Sequence, residues 1–238
     1  MKNLASLALA SLLASCAVAN SQAAQADTYP AMAPLAKYLM SSAAAEIALA
    51  RTAAPASVSD DAEYLVLTPK GYVVAAKGTN GWVCFVGRPW SAGLDDPEFW
   101  NPRGLGPACL NPPAVQSVLP QYLARTNWAI AGATREEIAA KCKAAYDDHQ
   151  FTDPAPGSFA LMLSKYGYLL GADGPWHPHV MPFIAYDQMS TWAAGFKGSP
   201  IFGPSDIAYF RRYEPVTIAI PVSHWSDGSL ARIAPVSP

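Results

Sequence analysis

The run Tyr64-Leu-Val-Leu-Thr-Pro-Lys-Gly-Tyr-Val-Val-Ala-Ala-Lys-Gly-Thr-Asn-Gly-Trp-Val-Cys-Phe-Val86 decides the fold. Three apolar, β-prone segments, Tyr64–Leu67, Tyr72–Lys77 and Trp82–Val86, are separated by Lys70-Gly71 and by Gly78-Thr-Asn80-Gly81. Asn-Gly is the strongest short hairpin signal, because both residues tolerate positive φ. The pattern predicts an antiparallel meander over 63–87. On its third strand Trp82, Cys84 and Val86 face one way and Val83 and Phe85 the other. Both faces are apolar, which predicts a central, covered strand.

Further strands are expected near 159–163, 178–185 and 216–222. Phe159-Ala-Leu-Met-Leu163 reads as strand because Gly157, Gly167 and Gly171 crowd its ends. Pro178 and Pro182 are four apart, so their missing amide hydrogens lie along one side, which suits an edge strand or a bulge. A helix is expected over 34–51, with Pro34 in its first turn and a stripe of Leu35, Leu39, Ala43, Ile47 and Ala50. Asn111 can cap a helix from Pro113, and Pro120 either kinks it or opens the next, which runs to about Ile130. Thr134-Arg-Glu-Glu137 is a capping box for 135–146, with Ile138, Cys142 and Ala145 inward. Asp187 can cap a short helix through Trp192. Residues 87–112 read as a long loop. Its Asp95, Asp96 and Glu98 beside Trp90 and Trp100 make either a binding lip or turn and cap residues over packed aromatics, and we prefer the second. The sum is an α+β fold: an antiparallel sheet with helices packed on it and one disulfide.

The first residues read as an export signal. Lys2 precedes the apolar run Leu4–Leu13, too short to span a bilayer, and small residues lead to Ala24-Gln25-Ala26. This predicts a signal peptide over 1–26 and a single globular domain over 27–238, periplasmic or secreted. In a competing reading Leu13-Ala14-Ser15-Cys16 is a lipobox, and Cys16 carries a lipid that anchors the protein. No later run predicts a transmembrane helix. Removing 1–26 takes away one base, Lys2, and no acid, leaving 15 basic against 18 acidic residues. That balance argues against nucleic acid as a partner, which needs a concentrated basic surface. The 22 prolines imply constrained turns, and a hydrophobic content of 51% is too high for disorder.

Export also frames the cysteines. Cys84, Cys109 and Cys142 remain after Cys16, so one disulfide forms and one thiol is left over. We pair Cys84 with Cys109, since each sits where a strand or loop end can meet the other. Cys142 then stays as a buried thiol in a helix.

The candidate site lies in Gly174-Pro175-Trp176-His177-Pro178-His179-Val180-Met181-Pro182-Phe183. As a strand, this run puts His177, His179, Met181 and Phe183 on one face. A tandem of histidines at i, i+2 can give two ligands to one metal ion, with His224 as a third and Asp227 or a loop carboxylate completing the shell. No HExxH or CxxC pattern accompanies it, so no metal or other cofactor is assigned. The ordinary alternative is a pair of histidines hydrogen-bonded at a sheet edge. There is no G-x-S-x-G elbow, and Gly104-Leu-Gly106 followed by Pro107 lacks the rest of a dinucleotide fingerprint. Trp176 and Trp225 each adjoin a histidine, and exposed indoles stack on sugar rings or bury apolar ligands.

Several phrases occur together: Ala50-Arg-Thr-Ala-Ala-Pro55, Gly78-Thr-Asn-Gly81 before Cys84, Pro107-Ala-Cys109-Leu-Asn-Pro112, and Pro178-His-Val-Met181 ahead of a final Ile-Pro-Val segment. The set resembles a loose group of exported bacterial proteins. The resemblance supports the Cys84–Cys109 pairing, favours His179 over His177 as the purposeful histidine, and implies no activity. The expected role is binding of a small ligand or an envelope component at His177, His179, His224, Asp227, Trp176 and Trp225. A metal-dependent hydrolase using His177, His179 and His224 is the alternative.

Overall fold

The computed structural model describes residues 29–168, 177–194, 196–201, 203 and 212–231. Residues 1–26, where the signal peptide and Cys16 were expected, and Trp176 lie outside these residues. Eight strands form one sheet: β1 (Glu63–Thr68), β2 (Gly71–Ala76), β3 (Val83–Gly87), β4 (Gly106–Leu110), β5 (Phe159–Met162), β6 (His179–Ile184), β7 (Val216–Thr217) and β8 (Ile220–Pro221). Their order is β2-β1-β3-β4-β5-β6, with β7 and β8 both alongside β6. Every pairing is antiparallel except β1 with β3. The α+β class with one disulfide is as expected.

The meander is corrected in its topology. β1 and β2 form the hairpin, but β3 then passes to the far side of β1 and runs parallel to it. Asn80-Gly81 is therefore a crossover and not a hairpin turn. The Asn80 side chain donates to the Val58 carbonyl (2.7 Å) and accepts from the Trp82 amide (3.0 Å), while the Thr79 amide reaches the Asp61 carbonyl (2.8 Å). The crossover hugs the start of β1 so closely that a Cβ on Gly78 would stand 2.2 Å from the Glu63 nitrogen. Only glycine fits there.

β3 is central and buried on both faces, as its pattern predicts. One face carries α1 (Ala43–Arg51) and α2 (Ala56–Ser59), and Ala50 of α1 with Ala53 of the link between them covers Tyr64, Cys84, Val86 and Cys109. The other carries α3 (Pro112–Ser117) and α4 (Leu119–Ile130), which close over Leu65, Phe85, Leu110, Ala160 and Phe183. Beyond the sheet, α5 (Arg135–Asp147) buries Ile138 and Cys142 against Tyr38, Trp90, Phe99 and Trp100. Trp90 and Trp100 are core residues, which settles the lip against the packed reading. The supposed loop 87–112 also contains β4, paired along β3 from Val83↔Leu110 to Gly87↔Gly106.

Cys84 and Cys109 stand directly opposite each other in that ladder and form the disulfide, with Cα atoms 4.0 Å apart. Closing the intervening loop contributes about 3 kcal/mol, mostly by restricting the unfolded chain. Cys142 is the free, buried thiol among the described residues.

Helix starts follow their capping chemistry. Asn111 accepts from the Ala114 amide, and Thr134 and Glu137 complete the capping box. Pro120 opens α4 rather than kinking α3. The helix expected over 34–51 is instead a 3-10 turn, Leu35–Lys37, and a fresh start at Ser42, whose extended backbone and Oγ cap the Ala45 amide. The turn over Tyr186–Trp192 is 3-10 and has Ala185, not Asp187, at its cap.

β6 is internal, which corrects the edge placement among the two readings of its prolines, an edge strand or a bulge. Its prolines do share one side, and that side faces β7 and β8: the carbonyls of Pro178 and Pro182 accept from Val222 (2.8 Å) and Ile218 (3.3 Å). The register is continuous from His179↔Pro221 to Ile184↔Val216. Pro182 has no hydrogen to give back to residue 218, so one strand becomes two short ones.

Candidate functional site

Three chain ends converge at one end of the sheet. β5 leaves there after Met162, β6 enters at His179 and β8 leaves after Pro221, because the three are successive antiparallel neighbours. His179 pairs with Met162 on one side and Pro221 on the other. Its ring shares the α4-side face with Met181 and Phe183, and the Phe183 ring lies 6.2 Å from that of Tyr122.

His179 is 2% exposed. Its Nδ1 lies 2.8 Å from the His177 carbonyl oxygen. A carbonyl only accepts, so Nδ1 carries the hydrogen and Nε2 holds the lone pair of the neutral ring. Burial pushes the ring's pKa down to about 4; the bond to His177 works against this and the His177 imidazole adds to it. At neutral pH His179 is therefore an uncharged group of fixed tautomer. His177 sits just outside β6, which begins at His179. It contributes its carbonyl and its proximity.

His224, Trp225 and Asp227 lie on a hairpin that follows β8 directly. It closes through Ala231 N–H to the Ser223 carbonyl (2.8 Å) and turns at Gly228, whose φ of +79° suits glycine. The Ser226 amide donates to Leu163 (3.0 Å), which ties the hairpin to the exit of β5. His224 is exposed, with Nδ1 2.9 Å from Ser223 Oγ. Trp225 is half-buried. Asp227 does not complete a histidine shell. It binds Lys165 Nζ (2.6 Å) and the Ser229 hydroxyl (2.7 Å), and these hold its carboxyl well below the usual range. Among the described residues no group of three or more His, Cys, Asp or Glu side chains gathers as a metal shell would require. Around the hairpin, Tyr166 and Leu230 are 70% and 72% exposed.

Two buried arginines escaped the sequence reading. The Arg88 guanidinium is fully enclosed, and each of its nitrogens finds an acceptor: Glu46 Oε1 (2.8 Å), the Tyr38 carbonyl (2.8 Å) and the Val86 carbonyl (2.5 Å). The same Glu46 oxygen takes the Leu67 amide at 3.2 Å. Their one visible signal was solitude, since Glu46 is the lone charge in α1 before Arg51 and Arg88 is the first charge after an apolar strand. Arg125, on α4, is 2% exposed and differs. Its Nη2 donates to the Ala92 carbonyl (2.5 Å) and it lies 5.6 Å from the Phe99 ring centre, but Nε has no partner, and neither has the neighbouring buried Ser91 hydroxyl. Nearby, burial pushes the Cys142 thiol up to about 11, so it stays protonated and unreactive.

No protein-family model matches the chain, and neither does a curated protein or a solved structure.

Proposed function

We propose that this chain is an exported domain that binds an uncharged envelope component, a glycan or a peptide, without transforming it. The seat we assign is the end of the sheet where β6 begins at His179, just after His177, and where the hairpin with His224 and Trp225 follows β8. One observation carries the reading: His179 is buried, neutral and held in a single tautomer by the His177 carbonyl. A neutral ring of fixed tautomer is a group that binding sites use to orient a hydroxyl or an amide N–H. Exposed Tyr166, exposed Leu230 and half-buried Trp225 supply the apolar and aromatic surface that sugar rings stack on. The one acid on the hairpin, Asp227, is already neutralised by Lys165, which favours an uncharged ligand. The buried disulfide supports an oxidising compartment. The export step itself rests on the Lys2–Ala26 signal, with Cys16 lipidation as its alternative, and mass spectrometry of the mature N-terminus distinguishes them.

Calorimetric titration with soluble cell-wall glycans and stem peptides tests the binding. Saturable heat that is lost in His179→Asn and weakened in Trp225→Ala is the expected result. Heat that survives both substitutions, or no response to any envelope fragment, overturns the reading.

A further inference from the structure

The sheet has two lateral edges, and they are built differently. The edge beyond β6 is blunted, since β7 and β8 have two residues each and β8 ends in Pro221. β2 at the other edge runs for six residues, Gly71-Tyr-Val-Val-Ala-Ala76, with no charge and no proline. Among the described residues no strand pairs with its outer side. Val73 and Val74 are each 43% exposed, and Ala75 is exposed as well. Long, uncharged, apolar edges of this kind are templates for another strand, and proteins that stay monomeric usually guard them. Here the lysines stand only at the two ends, Lys70 and Lys77, and Lys77 is occupied by Glu63 at 3.1 Å.

We infer that β2 pairs edge to edge with β2 of a second copy of this chain, making one continuous antiparallel sheet across a two-fold axis. The register follows from the hairpin. Thr68↔Gly71 closes the two-residue turn, so Gly71 and Val73 spend their N–H and C=O groups on β1, and Tyr72 and Val74 aim theirs outward. The pairing that uses both outward residues sets Tyr72 of one copy against Val74 of the other, twice. The axis then passes through Val73, and the two Val73 side chains meet as a close pair without hydrogen bonds. In that register Lys70 falls beside Ala76 of the other copy and Lys77 beside Pro69, so like charges are not opposed. Moving the axis midway between Val73 and Val74 would set Lys70 directly against Lys77 and turn inward-facing groups to the joint. Charge and hydrogen-bond parity thus select the same arrangement. The β-bulge at Ala75 ends the usable edge just beyond it.

Light scattering after size exclusion, together with sedimentation velocity over a concentration series, tests this on the oxidised mature protein. The expected mass is twice that of one chain. Val73→Lys, which places two ammonium groups across the axis, should return it to one chain with an unchanged circular dichroism spectrum, whereas Val73→Thr should keep the pair. As a measurement independent of any loss of folding, Val73→Cys should crosslink to itself under mild oxidation, and Lys141→Cys on α5 should not. A wild type that stays single at every soluble concentration overturns the inference. So does a Val73→Lys protein that remains paired, or a β2 edge that takes up only a foreign extended peptide.

Discussion

Replacing Arg88 and Arg125 separately by methionine should give opposite outcomes, although both side chains are arginines buried at 2% exposure. Arg88→Met strands Glu46, which keeps only the Leu67 amide at 3.2 Å inside a core where its side chain is 2% exposed. Removing one partner of a buried ion pair costs about 3–5 kcal/mol, because the other charge is left without compensation. That is a large share of the roughly 5–15 kcal/mol that holds a domain folded. The loss reaches further than one contact, since the guanidinium also joins the carbonyls of Tyr38 and Val86. Arg125→Met removes one hydrogen bond to Ala92 and the contact with the Phe99 ring, and also a buried cation whose Nε meets no acceptor. The lost bond, about 1.5–3 kcal/mol for a charged donor, is offset by the desolvation no longer spent. We expect a net change within about 1 kcal/mol. Urea denaturation at pH 7 under non-reducing conditions reads both, and the double variant Glu46→Leu/Arg88→Met should recover most of the first loss. Equal midpoints for the two single variants would refute the reasoning, because the completeness of the hydrogen-bond shell would then have decided nothing.

Acid should destabilise the protein through His179. Its pKa of about 4 in the folded chain against about 6.5 unfolded means the unfolded state takes up the proton first, so the stability it contributes is full above pH 6.5 and is lost as pH falls through 4. The full span corresponds to about 3 kcal/mol; His179→Asn should flatten the pH profile of unfolding over this window, and an unchanged profile would contradict the assignment. Cys142 should resist iodoacetamide at pH 8 in the folded protein and react once it is unfolded, while non-reducing peptide mapping returns Cys84 joined to Cys109. Rapid native labelling of Cys142 would show that its helix is not closed over it as the fold requires.

Features whose chemistry is local were legible in the sequence. Thr134 and Glu137, Asn111 and Ala114, and the apolar alternation of β3 each specify their element within a few residues, and each is in place. Features that depend on distant partners were not. Asn80-Gly81 carries the residues of a hairpin turn, but what it does is set by Val58, 22 positions earlier, whose carbonyl draws the asparagine side chain across the start of β1. Ser42 was hidden by the good helix formers around it, which made one helix of what is two pieces. β4 was hidden by Pro107 and two glycines that signal a loop, yet β4 is sandwiched between β3 and β5, where the ladder with β3 holds it extended.

The histidines show the same divide within a single site. Alternation placed His179 on an apolar face and the structure keeps it there. Alternation also placed His177 beside it as an equal, and the backbone makes the two unequal. Just before β6 the His177 carbonyl lies 2.8 Å from the His179 ring, and that one bond fixes which nitrogen carries the hydrogen. The pairing of β6 with Met162 and Pro221 then removes water from the ring and holds it neutral. The sequence left the pair either as metal ligands or as histidines hydrogen-bonded at a sheet edge, and the bond from the His179 ring to the His177 carbonyl is of the second kind. A metal shell would need more donors than the surrounding described residues bring.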